Sequence, residues 1–297
     1  MDVPRVVDIP SGMGGISYGF KLAGYEIDLG VDLDSDSVKS FRDNLSAPGK
    51  VMDMRDFTPS KKDYDIIIVG GPPCQSFSLI NTNRNIFDAR AQLSLELCRI
   101  IHDVQPEAFV FENVMSTPKW LKAAVKEIRG YKVTENVVNS MYYGVAQSRR
   151  RRVFIGTRKK HIKINVPLLY EVKTVRDAFT EIPENWGYTN HMPHTVEKFK
   201  KFHKKTWTSN YKATFAGTVR LQWDEPACAI VNYKKAQILH PMEPRSITGA
   251  EALALQGFPA WYVPCGTETS KAIQIANAVP PGLAKAVATE MRRQVFN

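Results

Sequence analysis

The sequence predicts an α/β fold: a parallel sheet with helices on both faces, followed by a small irregular region. Three observations predict it. Strand and helix signals alternate through the first half of the 297 residues. A glycine-rich turn follows the first strand signal, and an acid closes the second. The alternation then fails between about residues 159 and 218, where Lys, His, Asn, Thr and aromatic residues dominate with little periodicity.

Residues 6–9 read as a short strand, and residues 15–23 as a helix with Ile16, Phe20 and Ala23 on one face. Residues 27–31 form a second strand. Residues 35–44 form a second helix, with Ser35 as its N-cap. Short strands follow at 50–52 and 64–69. A helix over 89–102 carries Leu93, Leu97, Ile100 and Ile101 at helical spacing. Residues 108–111 are the next strand, and the helix over 119–128 stops at Gly130. Strands at 133–138 and 153–155 complete the sheet. Helical signals return at 248–256 and 281–293.

At 43% hydrophobic and 24% charged, the chain has the composition of a soluble globular protein. No apolar stretch reaches the length of a membrane span, and the N-terminus lacks the pattern of a signal peptide. Cys74, Cys98, Cys228 and Cys265 form no CxxC pair. That spacing argues against a zinc site or a disulfide framework and for a reducing, cytoplasmic setting. The net charge of +10 is compatible with nucleic acid. Its clusters are Arg149 to Arg152, and Lys198, Lys200, Lys201, Lys204 and Lys205 followed by Trp207 and Tyr211. Each reads equally as a solvated face.

Four segments carry chemistry. The turn Ser11-Gly12-Met13-Gly14-Gly15 lets a ligand approach the backbone closely. Asp32, seventeen residues after Gly15, stands where an acid commonly bonds a ribose hydroxyl, and Asp53 could meet an adenine amine. These point to an adenosine-containing cofactor; the alternative is a tight turn with two solvated acids. Cys74 lies in GGPPCQSFS, just past an apolar strand, and reads either as an inert thiol or as a nucleophile. Glu112, at the end of the next strand, either faces Cys74 or is a capping or salt-bridged acid. Alternate arginines on a strand share one face, so Arg149 and Arg151 can both reach the cleft.

GGPPCQSFS, Glu112-Asn113-Val114 and Gln147-x-Arg149-x-Arg151 together resemble the C5-cytosine-specific DNA methyltransferase family. The segment Arg220 to Pro226, the series Arg245–Thr248–Glu251–Leu255-Gln256-Gly257-Phe258-Pro259, and Asn277-Ala278-Val279-Pro280-Pro281 follow in the family's order. The resemblance spans the chain except about residues 159–218. It implies an α/β, Rossmann-like S-adenosylmethionine-dependent methyltransferase sheet with a small, irregular target-recognition domain. Its implied boundaries are a catalytic and cofactor-binding domain at 1–158, target recognition and hinge at 159–260, and a return to the catalytic domain at 261–297.

The resemblance further implies a DNA (cytosine-5-)-methyltransferase that flips its target base in a short duplex sequence. Cys74 would attack carbon 6, Glu112 would bond the ring N3 and exocyclic amine, Arg151 would hold O2, and Arg149 would support the loop or its phosphate. The cofactor, S-adenosyl-L-methionine, leaving as S-adenosyl-L-homocysteine, would meet Met13, Gly14, Gly15, Asp32, Leu33, Asp53, Met54, Pro73, Leu93, Asn277 and Ala278. Leu93 reads equally as a core residue, and Asn277 as a helix cap. No metal is implied. The partners would be double-stranded DNA and a cognate restriction endonuclease of the same system, with the chain a monomer in a bacterial, archaeal or phage setting. His191, Asn210, Arg220 and Gln222 are candidate base readers, each also an ordinary surface residue. Pro10 and Ala276 depart from the family's usual Phe and Gly, and four arginines precede Val153 where three are common. The family's tRNA-modifying branch carries a Cys-Phe-Thr tripeptide that this sequence lacks.

Overall fold

The computed structural model describes residues 3–58, 67–72, 89–164, 172–182, 184–202, 218–234 and 238–296. Among them is a seven-stranded sheet in the order β3-β2-β1-β4-β5-β7-β6. Its strands are β1 (Arg5–Asp8), β2 (Glu26–Asp32), β3 (Gly49–Val51), β4 (Ile67–Gly70), β5 (Ala108–Val114), β6 (Lys132–Asn139) and β7 (Arg150–Thr157). The helices are α1 (Gly15–Leu22), α2 (Ser35–Leu45), α3 (Ala89–Val104) and α4 (Lys119–Lys126), with α5 (Val175–Thr180), α6 (Pro193–Lys201), α7 (Gly249–Leu255), α8 (Glu268–Asn277) and α9 (Pro281–Met291) after the sheet. A second, two-stranded sheet pairs β8 (Val219–Arg220) with β9 (Ile238–Leu239).

Alternation along the central strands builds two cores, one on each face of the sheet. Val6, Ala108, Val110, Val153 and Ile155 face the core shared with α1 and α9. Val7, Phe109, Phe111 and Phe154 face the other, with Leu97, Ile100 and Ile101 of α3 and Leu121 and Val125 of α4. Every one of these side chains is buried. Burying both faces is what makes these strands near-continuous apolar runs in the sequence.

The structure differs from the sequence expectation in four places. First, β7 runs antiparallel to both β5 and β6, so the sheet is not purely parallel. The link from β6 to β7 is too short for a crossover and turns the chain back as a hairpin. Second, β5 extends to Val114 because β7 pairs with it along its whole length, which places Glu112 inside the strand. Third, Asp34, not Ser35, caps α2, its carboxylate accepting from the Ser37 N–H at 3.0 Å. Fourth, α5, α6 and α8 form where no helix was expected. α5 has only six residues, and α8 buries little beyond Ala272, Gln274 and Ile275, so their periodicity is faint. The first residues of the expected strand at 64–69 lie outside the described residues.

The chain's end returns to its beginning. α9 packs on α1 at closest approach through Gly19, where a Cβ would overlap Ala284 Cβ and stand 2.7 Å from Pro281 O. The Tyr25 hydroxyl, buried beside α1, donates to Ala288 O of α9 at 3.1 Å. Because backbone atoms cannot move aside cheaply, Gly19→Ala should lower unfolding free energy by about 2 kcal/mol, measured by urea denaturation.

Candidate active site

Strand order reverses between β1 and β4, so the connections leaving these strands diverge and open a crevice at their carboxyl ends. The chain delivers the glycine turn after β1, Asp32 and Leu33 after β2, Gly70 and Gly71 after β4, and Glu112 near the end of β5 to that crevice. Cys74 and Pro73 lie outside the described residues, beginning two positions after Gly71.

Glu112 is buried, and its carboxylate has a built-in cation. Arg151, diagonal to it across the β5–β7 ladder, places Nε 2.9 Å from Glu112 Oε1. The other oxygen faces the start of the Cys74 loop, since a Cβ at Gly71 would stand 2.8 Å from Glu112 Oε2. Burial pushes the Glu112 carboxyl above its ordinary range, against the opposing charges of Arg151 and Arg149.

The four arginines take four different settings. Arg150 is exposed. Arg152 forms an ion pair with Glu135 on β6, and Lys126 joins the same carboxylate at 2.6 Å. Arg149 is buried, donating from Nη1 to Ile230 O at 2.9 Å and from Nη2 to Ala276 O at 2.8 Å. Its guanidinium braces the start of β7 from within, and Arg151 alone of the four bonds Glu112 among the described residues. Gln147 is wholly buried: its Nε2 donates to Gln256 Oε1 at 2.9 Å and Leu255 O at 3.3 Å, and its Oε1 accepts from the Ile230 N–H at 2.8 Å.

A family model described as C-5 cytosine-specific DNA methylase matches residues 4–293. The chain belongs to that family. It is 31% identical over 327 residues to the type II methyltransferase M1.HphI of Haemophilus parahaemolyticus, covering 98% of this chain and 87% of that one. It is 30% identical over 305 residues to M.HindV of Haemophilus influenzae, covering 96% and 95%. In fold it is similar to an E. coli prophage protein of known structure (TM-score 0.81, 23% identity, 99% and 100% covered) and to the S. pombe Dnmt2 methyltransferase (0.73, 19%, 99% and 100%). The enzyme class expected from the sequence, a cytosine-C5 methyltransferase on an α/β sheet, stands on these findings.

In this methylase the residues expected at the cofactor gather on the β1–β3 side of the crevice. Gly12 has φ +51°, and nothing lies within 4 Å of where its Cβ would stand, so the turn presents open backbone. Its N–H donates to Asp32 Oδ2 at 2.8 Å, and Asp34 N–H donates to Asp32 Oδ1 at 3.0 Å. Burial raises the Asp32 pKa despite these bonds. Leu33 is 67% exposed, free to cover a ligand. Asp53 is paired with Arg55, whose hydrogen bonds pull its carboxyl down to about 2. Met54 is buried in the core beside Phe57, and Leu93 packs against the same core. Met13 is also buried, and its carbonyl accepts from the Tyr262 hydroxyl.

The C-terminal candidates reach the same crevice. Asn277 is the exposed last residue of α8, and buried Ala278 caps it, its N–H donating to Gln274 O at 3.0 Å. Gly15 touches the segment that follows: a Cβ there would overlap Val279 O. Among the base-reader candidates, Gln222 turns its amide onto its own main chain at Arg220 O and Leu221 O. His191 stacks edge-on against Phe199, and Asn210 lies outside the described residues. Sequence reasoning missed Tyr262, Arg55, Ile230 and Gln256 as partners of site residues. Only the pairing Arg55–Asp53 is close enough in sequence to have been legible.

One buried acid stands apart. Asp8, at the end of β1, accepts from Ser17 Oγ at 2.7 Å on one oxygen, while Oδ1 has no hydrogen-bond partner among the described residues. Burial raises its pKa well above the ordinary carboxylate range, and Asp32 adds to the rise. A raised folded-state pKa favours folding below the unfolded-state value, and that benefit is lost as pH rises through the folded-state value. Asp8→Asn should therefore be more stable than wild type at pH 8 and lose that advantage at acid pH, read as melting temperature across pH 4–8.

Proposed function

We propose that this methylase transfers a methyl group from S-adenosylmethionine to carbon 5 of a cytosine flipped out of a short duplex recognition sequence, through a covalent Cys74 adduct at carbon 6. The observation that carries this reading is the buried Glu112 carboxyl, held by Arg151 on one oxygen and pressed against Gly71 on the other, three residues before Cys74. Such a carboxyl can bond a ring nitrogen and an exocyclic amine together, which is what a cytosine edge offers.

The residues on the cofactor side fit S-adenosylmethionine. Gly12 leaves room for its methionine end, Asp32 is placed for the ribose hydroxyls, and exposed Leu33 can lie over the adenine. Asp53 would meet the adenine amine with its charge already secured by Arg55. Gly14, Gly15, Asn277 and Ala278 would line the methionine end, with Pro73 beside the methyl. Met13, Met54 and Leu93 would shape the pocket from beneath, since their side chains are buried or packed in the core. Bound there, the cofactor supplies an electrophilic methyl group.

Cytosine carbon 5 is a weak nucleophile. The Cys74 thiolate would add to carbon 6, and Glu112 would hold N3 and the amine as negative charge develops in the ring. Arg151 would hold O2 while keeping Glu112 oriented. Arg149 fixes β7 rather than meeting a phosphate, because two main-chain carbonyls take its guanidinium. Once carbon 5 is methylated, a base or water would take its proton, and the electron pair of that C–H bond would form the 5,6 double bond as the carbon 6–sulfur bond breaks, freeing Cys74 as thiolate.

The basic stretch within 159–260 would contact duplex phosphates, with 1–158 and 261–297 forming the catalytic part. No helix among the described residues is long and apolar enough to cross a membrane. A cytoplasmic monomer working beside a restriction endonuclease is the setting we assign.

Wild type should form a denaturation-resistant adduct with duplex DNA containing 5-fluorocytosine, dependent on S-adenosylmethionine, whereas Cys74→Ser should form none; an equal adduct from the serine variant would sink the mechanism. Glu112→Gln should keep S-adenosylhomocysteine affinity while kcat falls about 10²- to 10³-fold in a labelled methyl-transfer assay. Labelled methyl should enter duplex DNA and not tRNA.

A further inference from the structure

Arg220, the last residue of β8, is built into the main chain around it. Its Nε donates to Phe202 O at 2.8 Å and Nη2 to Phe199 O at 2.6 Å; Nη1 donates to His240 O at 2.7 Å and Glu243 O at 3.1 Å. Four of the five N–H groups of a guanidinium are thereby committed to carbonyls, which leaves no bidentate face for a base edge. The expectation that Arg220 reads a base is replaced by a different role.

The four carbonyls belong to two places. Phe199 and Phe202 lie at the C-terminal end of α6, whose last turn carries Lys198, Lys200 and Lys201 and whose final carbonyls have no helical partners. Residues 203–217 leave the chain directly after Phe202 and rejoin it at Thr218, two positions before Arg220. That stretch carries Lys204, Lys205, Trp207, Asn210 and Tyr211, the basic and aromatic mixture suited to nucleic acid. His240 and Glu243 belong to the turn after β9. There His240 Nδ1 accepts from Glu243 N–H at 3.0 Å, and Arg245 grips Glu243 at 2.7 Å. Arg245 also forks onto buried Glu251 at 2.7 and 2.8 Å, and Glu251 closes the capping box of α7. The far end of α7 holds Gln147 through Leu255 O and Gln256.

We propose that Arg220 is a positioning residue for target recognition. It ties the lysine-bearing end of α6 to the turn that α7 couples to the catalytic sheet. It sets where Lys198, Lys200 and Lys201 stand relative to Glu112 without touching DNA itself. This rests on the reading of the chain as a sequence-specific cytosine methyltransferase. A lysine is a poor replacement, because one ammonium cannot span carbonyls on two sides.

The test uses the full chain as wild type, Arg220→Met and Arg220→Lys. The target sequence is first read by bisulfite sequencing of DNA from a host expressing the wild type. Methyl transfer is then measured on that duplex and on duplexes with one base pair changed, alongside S-adenosylhomocysteine binding by calorimetry. Arg220→Met should keep cofactor affinity within about twofold, raise KM for DNA, and lower the ratio of cognate to altered-site kcat/KM by about tenfold or more, with Arg220→Lys between it and wild type. An unchanged ratio overturns the proposal. So does a fall in cofactor affinity and kcat in step with the ratio, which marks a general stability role. If Arg220→Met does not fold, the ratio in Arg220→Lys decides on the same terms. Wild type that fails to methylate any duplex overturns the functional reading instead.

Discussion

A carboxyl buried at the edge of a crevice needs a cation held against it, and the pairing of Glu112 with Arg151 answers that need. Desolvation alone would drive Glu112 to neutrality or make it too costly to bury. With Arg151 Nε 2.9 Å away, its positive charge opposes the rise that burial imposes on the Glu112 carboxyl. The pair also dictates topology. Arg151 comes opposite Val114 only because β7 inserts antiparallel between β5 and β6. One antiparallel strand in an otherwise parallel sheet is therefore the feature that lets a buried acid sit beside the segment leaving β4.

Two buried residues just before β7 hold the strand in place. Gln147 and Arg149, just before the strand, reach Leu255, Gln256, Ile230 and Ala276. Those partners lie between Ile230 and the end of α8. The RxxTxxE series then carries the connection outward, because Glu251 at once caps α7 and anchors Arg245. Thr248 Oγ1 bonds Asn185, and Asn185 reaches back to Glu251 at 3.4 Å. The result is a largely buried run of polar contacts from Arg245 through Glu251 and α7 to Gln147 at the start of β7.

Close backbone approach does the equivalent work on the cofactor side. Gly15 and Gly19 let the chain's end lie directly on the first turn and helix, which brings Asn277 and Ala278 to the mouth of the glycine turn. Asp8, buried behind that turn with one oxygen unpartnered among the described residues, shows that this region is not arranged for stability alone.

The alternation of strands and helices, the glycine turn with its acid, and the order of the family's motifs were determined by the sequence alone. They are local: periodicity, turn chemistry and motif order need no knowledge of distant neighbours. Glu112 and Arg151 were legible as residues of interest for the same reason, as alternation on a strand predicts a shared face. What only the tertiary structure decided was which guanidinium does what. Arg149, just before β7, and Arg151, within it, are two positions apart, yet one braces Ala276 and the other holds Glu112. Arg220 likewise looks in sequence like a reader of bases and in space is a clamp on four carbonyls. A hydrogen bond is settled by distances of a few ångströms, and Arg149 and Ala276 meet across 127 residues of chain whose order carries no record of the contact.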